Sequence, residues 1–114
     1  MKVFKDNIEK LTINNNYYRK VLHTTPQMQL VLMSIPTNEE IGAETHSYTT
    51  QFIRVESGKG VAYINKKRYN LRDGDSIVIP AGSNHNIIST DNLKLYTIYS
   101  PPEHKQGHKE YIKK

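Results

Sequence analysis

The stretch "DGDSIVIPAGSNHNIIS", residues 73–89, decides the fold. Its strand formers, Ser76 to Ile79, stop at Pro80, which has no N–H to give to a β-ladder. Gly74 allows the positive φ of a tight turn, and Gly82 lets the chain reverse. His85 opens the next strand, and its face continues through Ile87 and Ser89. A histidine presented inward beside apolar neighbours needs a partner for its ring nitrogens, and a metal ion is one such partner.

Strand signals extend on both sides of this stretch. "QLVLMSI" (29–35) is a continuous apolar run, and "QFIRVES" (51–57) alternates, with Gln51, Ile53 and Val55 on one face. "GVAYI" (60–64) and "RYNLR" (68–72) flank a short loop, and "LKLYTIY" (93–99) closes the series. The glycines of "ESGKG" (56–60) read as a hairpin turn. Short strands at this spacing predict a sandwich or barrel rather than a βα fold. Only "DNIEKL" (6–11) has helical character, and "NNN" (14–16) breaks it. The expected organisation is one all-β domain, with an N-terminal arm at 1–26, a barrel at 27–100 and a polar, extended tail at 101–114.

Composition narrows the function classes. The chain has 114 residues, enough for one core without a staple. It has no cysteine, which excludes disulfides and thiolate metal sites and suits a reducing, cytoplasmic setting. The N-terminus lacks the apolar core of a signal peptide, and no apolar run reaches the ~20 residues of a membrane helix. The net charge of +5 is dispersed along the chain, so a solvated surface is expected in preference to a nucleic-acid face.

A second histidine stands in "GAETHSYTTQ" (42–51). His46 and Tyr48 share a face if 46–48 is extended, and Gln51 joins them if the chain turns near Thr49–Thr50. Glu44 shares the parity of His46 and is placed at the rim. Tyr48, Glu44 and a metal-bound water are then the candidate acids or bases. His104 and His108 have ligand spacing for a helix, but Pro101, Pro102 and Gly107 argue against one. Folded over the barrel mouth, the tail would offer His104 to the pocket. The chain has no nucleophile elbow, so nucleophilic catalysis is without support.

These stretches resemble the paired motifs of the cupin superfamily. Gly74, Pro80, Gly82 and His85 match the second motif, with Ser89 where asparagine is usual. Gly42, His46, Gln51 and Gly58 or Gly60 match the first, with Tyr48 where a second histidine is usual. The end "LKLYTIYSPPEH" is similar to small single-domain cupins of the mannose-6-phosphate isomerase-like group. The resemblance implies a double-stranded β-helix, the jelly-roll barrel, holding a divalent ion (Mn, Fe, Ni or Zn) through His46, Gln51 and His85. It implies action on, or binding of, a small polar metabolite such as a sugar or sugar phosphate, in the manner of an isomerase. A non-enzymatic binding or sensing module and a metal-dependent oxygenase are the alternatives on the same fold. Sheet edges left by such a fold predict a homodimer.

Overall fold

The computed structural model describes residues 2–113 and is mostly antiparallel β-structure. Helix α1 (Ile8–Asn14) is followed by strands β1 (Arg19–Thr24), β2 (Gln29–Ile35), β3 (Glu44–Thr45) and β4 (Thr50–Ile64). Then come β5 (Lys67–Arg72), β6 (Ser76–Ile79), β7 (Asn84–Ser100) and β8 (Lys109–Glu110). The jelly roll inferred from the sequence is the fold observed. None of the described helices is long and apolar enough to cross a membrane.

Two long strands build both layers. The first half of β4 lies between β6 and the second half of β7, whose other neighbour is β2 and then β1 and β8. The second half of β4 lies between β5 and the first half of β7, whose other neighbour is β3. The corner falls where the β4–β7 register shifts, between Val55 and Gly60. Before it Gln51, Ile53 and Val55 are buried; after it Gly60, Ala62 and Ile64 are. The inward parity thus changes from odd to even, which is what an inserted bulge residue does. "ESGKG" is therefore the corner of one strand, not the hairpin turn its glycines suggest. Gly58 has φ +88°, and a Cβ there would lie 2.3 Å from the carbonyl oxygens of both Asp91 and Asn92 on β7.

Between the layers lies a core of Val31, Met33, Ile35, Ile53, Val55, Ile87, Leu93 and Leu95, all fully buried. Burying each such side chain contributes about 1.5–3 kcal/mol. Ser89, in the family's asparagine position, is also fully buried, and its Oγ accepts from the Leu93 N–H at 3.2 Å across the β7 corner.

Both ends of the chain join the sheet. Residues 19–24, within the expected arm, form β1 and pair with β2; residues 109–110, within the expected tail, form β8 and pair with β1. The polar composition hid both, because an edge strand needs to bury little: of β1 only Val21 is fully buried. α1 begins at an Asn7 cap whose side chain accepts from Lys10 N–H at 3.0 Å, and it ends at Asn15, inside the asparagine run.

Candidate functional site

Register brings the polar residues to one end of the sandwich. Across one layer, Gln51 of β4 and Gln29 of β2 both face Tyr99 of β7. In the other layer, Glu44 of β3 pairs with His85 of β7. Gln51, Gln29, Tyr99 and His85 are all almost completely buried. His46, on the loop between β3 and β4, spans the two layers. Its ring centroid is 5.2 Å from that of His85 and 5.8 Å from that of Tyr99. Its carbonyl accepts from Gly82 N–H at 2.8 Å, tying this loop to the proline–glycine reversal before β7.

Two carboxylates flank the His46 ring, Glu44 at 3.6 Å from Nε2 and Glu103 at 3.4 Å from Nδ1. His85 Nδ1 lies 3.0 Å from the Ser83 carbonyl oxygen. A carbonyl only accepts, so Nδ1 carries the proton, and in the neutral ring Nε2 keeps its lone pair. Gln51 Nε2 donates to Thr97 Oγ1 at 3.0 Å, while its Oε1 is buried with no partner. The Thr97 hydroxyl can serve either amide atom, so one polar atom of Gln51 is left over in either orientation. Burial pushes the Tyr99 hydroxyl well above its ordinary range, so it stays protonated.

The C-terminal segment closes this end. Gln29 holds it: its Nε2 donates to the His104 carbonyl at 2.7 Å, and its Oε1 accepts from the N–H groups of His104 (2.9 Å) and Glu103 (3.4 Å). The His104 ring stands edge-on to Tyr99 at 5.1 Å, with Nε2 buried and unpartnered. Burial first, then the charges of Arg19 and His108, lower its pKa to about 4, so the ring is neutral at pH 7. Further out, Glu110 Oε1 takes Arg19 Nη1 at 2.9 Å and His108 Nε2 at 2.7 Å. Burial acts to raise the Glu110 pKa, but these two hydrogen bonds, together with the charges of Arg19 and His108, lower it overall.

Of the residues singled out from the sequence, the fold brings Glu44, His46, Gln51 and His85 to one end. Tyr48 is not among them. Residues 47–48 form a bend rather than a strand, so the shared parity with His46 does not apply, and Tyr48 is 88% exposed. Glu44, by contrast, lies on the short strand β3, where it pairs with His85 and places its carboxylate 3.6 Å from His46. Tyr99, Gln29 and Glu103 went unnoticed in the sequence. Tyr99 and Gln29 look like ordinary strand residues until the register aligns them, and Glu103 sits in a tail with no local pattern. Among the described residues, no three His, Asp or Glu side chains are already drawn together as a metal cage. The basic residues Lys59, Arg68 and Arg72 line a separate cleft of about 370 Å³ between β4 and β5, away from the histidines.

The cupin domain model matches residues 31–99. An uncharacterized protein of Acanthamoeba polyphaga mimivirus is 46% identical over 92% of this chain, which spans 69% of that relative. The crystal structure of BH2720 from Bacillus halodurans superposes with a TM-score of 0.94 at 39% identity, covering 96% of this chain and 89% of that one. KdgF from Halomonas sp. shares the fold at 20% identity, with a TM-score of 0.71 over 75% of this chain and 78% of that one. With its family model matched over most of its length and both motif histidines at one end of the barrel, this chain belongs to the cupin family.

Proposed function

We propose that this cupin binds one divalent metal ion and, beside it, a small hydroxylated metabolite of the sugar or sugar-phosphate class, on which it acts in the manner of an isomerase. The observation that carries the reading is the Gln51 amide, buried and with one polar atom unpartnered, at the same end of the barrel as His85, whose Nδ1 is taken by the Ser83 carbonyl. Buried polar atoms in folded proteins nearly always have partners, so a missing one points to a missing group. The donor chemistry fits a divalent ion. Glu44, His46, Gln51 and His85 would hold it, and Glu44 supplies the carboxylate that a His–His–Gln set lacks. Imidazole with mixed oxygen donors suits Mn, Fe, Ni or Zn.

When bound, such an ion polarises a carbonyl or hydroxyl oxygen of the ligand and acidifies bound water. The chain's residues do the rest. Ser83 fixes the tautomer of His85, and Thr97 orients the Gln51 amide. Glu103, on the other side of His46 from Glu44, is the carboxylate that takes or returns a proton. Tyr99 is the buried, protonated wall between them. A homodimer is part of the same proposal, supported by β5 and β6, each paired among the described residues only with β4, and by the exposed Tyr63, Tyr69 and Val78 beside those edges.

Metal analysis and titration test the reading. Protein purified without chelator is expected to hold about one ion per chain, and Glu44→Gln or His85→Ala to weaken binding at least about 100-fold, since even indirect supporting residues are worth 10–100-fold. No bound metal, and no rise in melting temperature with Mn, Fe, Ni or Zn, sinks the metal part. Light scattering at micromolar concentration reads the dimer directly.

A further inference from the structure

We propose that the C-terminal tail supplies the ligand-reading wall of the pocket, with His104 Nε2 hydrogen-bonding an oxygen of the bound metabolite. This rests on the reading above that this end of the barrel takes a hydroxylated molecule, and it adds a specificity residue from outside residues 31–99, the stretch the family model covers.

Several independent observations carry it. His104 Nε2 is buried without a partner, and a second buried, unpartnered atom, on Gln51, belongs to the residue paired across the sheet with Tyr99. The His104 ring packs on that same tyrosine. The two unpartnered groups therefore flank one side chain. An imidazole nitrogen and an amide oxygen together suit a hydroxyl, which donates its one proton to the Gln51 oxygen and accepts from a protonated His104 Nε2. The position is also built. Gln29, fully buried, clamps the backbone of Glu103 and His104 through three hydrogen bonds, and β8 anchors the segment beyond it on β1.

The test uses the full chain and a named panel: fructose 6-phosphate, mannose 6-phosphate and galacturonate, each titrated by calorimetry in the presence of saturating Mn. His104→Phe keeps the ring that packs on Tyr99 and removes the polar atom; His104→Gln restores a hydrogen-bonding group. Wild type is expected to bind at least one member, the Phe variant to bind it about 10-fold more weakly, and the Gln variant to recover part of the loss. Mn affinity should stay unchanged in both variants. Bound probe is also expected to slow amide exchange over residues 101–110. Equal affinity of wild type and His104→Phe overturns the assignment and leaves the metabolite reading standing. Failure of wild type to bind any of the three overturns the sugar-class reading, and the assignment with it. A parallel loss of Mn affinity in His104→Phe also overturns it, because the residue would then act on the metal site.

Discussion

The corner at Gly58 gives the sharpest test of how this barrel is built. Its φ of +88° is left-handed, and a Cβ would lie 2.3 Å from each of two β7 carbonyl oxygens, Asp91 O and Asn92 O. Gly58→Ala therefore incurs two penalties. The backbone conformation alone costs an L-residue about 1–2 kcal/mol. Relieving the overlap requires β4 and β7 to separate locally by about 1 Å, an overpacking that costs about 1–3 kcal/mol more. Gly74 is the control, because its φ of +89° is nearly the same but nothing lies within 4 Å of its added Cβ. Gly74→Ala should then cost only the conformational part. For a chain of this length, unfolding entropy of about 2.1 cal/mol/K per residue converts 1 kcal/mol to about 4 °C. The expected drop in melting temperature is about 8–20 °C for Gly58→Ala and about 4–8 °C for Gly74→Ala. Urea denaturation of both variants, followed by far-ultraviolet circular dichroism, checks the difference in free energy. If Gly58→Ala is no more destabilising than Gly74→Ala, the close crossing of the two long strands is not what selects glycine at the corner.

Other consequences can be measured with single variants. Tyr48→Phe, at an 88% exposed position, should change stability by less than about 0.5 kcal/mol and leave Mn affinity intact; a large loss of Mn binding would return Tyr48 to the site. Gln29→Ala removes the clamp on the His104 and Glu103 backbone and should cost about 1–3 kcal/mol. Amide exchange over residues 101–110 should speed up with it, and an unchanged tail would refute the clamp. Burial lowers the His104 pKa to about 4 in the folded chain, from its ordinary 6.5 in the unfolded one. Above pH 6.5 the ring is neutral in both states; as pH falls toward 4 the unfolded chain gains a proton that the folded chain resists, and stability is lost. His104→Phe should accordingly lose about 2 kcal/mol less than wild type between pH 7 and 4.5 by urea denaturation, and identical losses would contradict the burial of that ring.

The central strands were legible because they are buried and alternate. "QLVLMSI" forms β2 over the residues expected, and the "DGDSIVIPAGSNHNIIS" reversal delivers His85 inward as its spacing implied. The corners were not, because continuity through Gly58 and Asn92 depends on a partner strand some thirty residues away, which no local pattern records. The same blindness affected the site. Tyr48 shares parity with His46 only if the chain is extended, and the bend at 47–48 removes that premise. Glu44 reaches His46 by a different route: β3, short as it is, is held by pairing to β7, and the Glu44 carboxylate lies 3.6 Å from the ring. Parity is a reliable guide inside a paired strand and no guide in the loop next to one.

The composite origin of the site explains why its weakest motif position need not weaken the site itself. One layer supplies Gln51 and Tyr99, the other Glu44 and His85, a loop supplies His46, and the tail supplies Glu103 and His104. The spacing between the first two groups is fixed by the corners of β4 and β7, so it is set by the core rather than by the mouth. The loop and tail are fixed separately, by Gly82 and by Gln29. A histidine missing from the usual first-motif position then has two nearby substitutes of different chemistry: a carboxylate on β3 and an imidazole on the tail. Glu44 changes the charge presented to a cation, whereas His104 changes what is presented to the ligand. Substitutions at these two positions should therefore separate. Glu44→Gln acts first on metal affinity, His104→Phe first on metabolite affinity, and the double variant should show the two losses adding, as expected for groups that contact different partners. Strong non-additivity would mean that both residues serve one bound species, and that the pocket has a single function where this arrangement implies two.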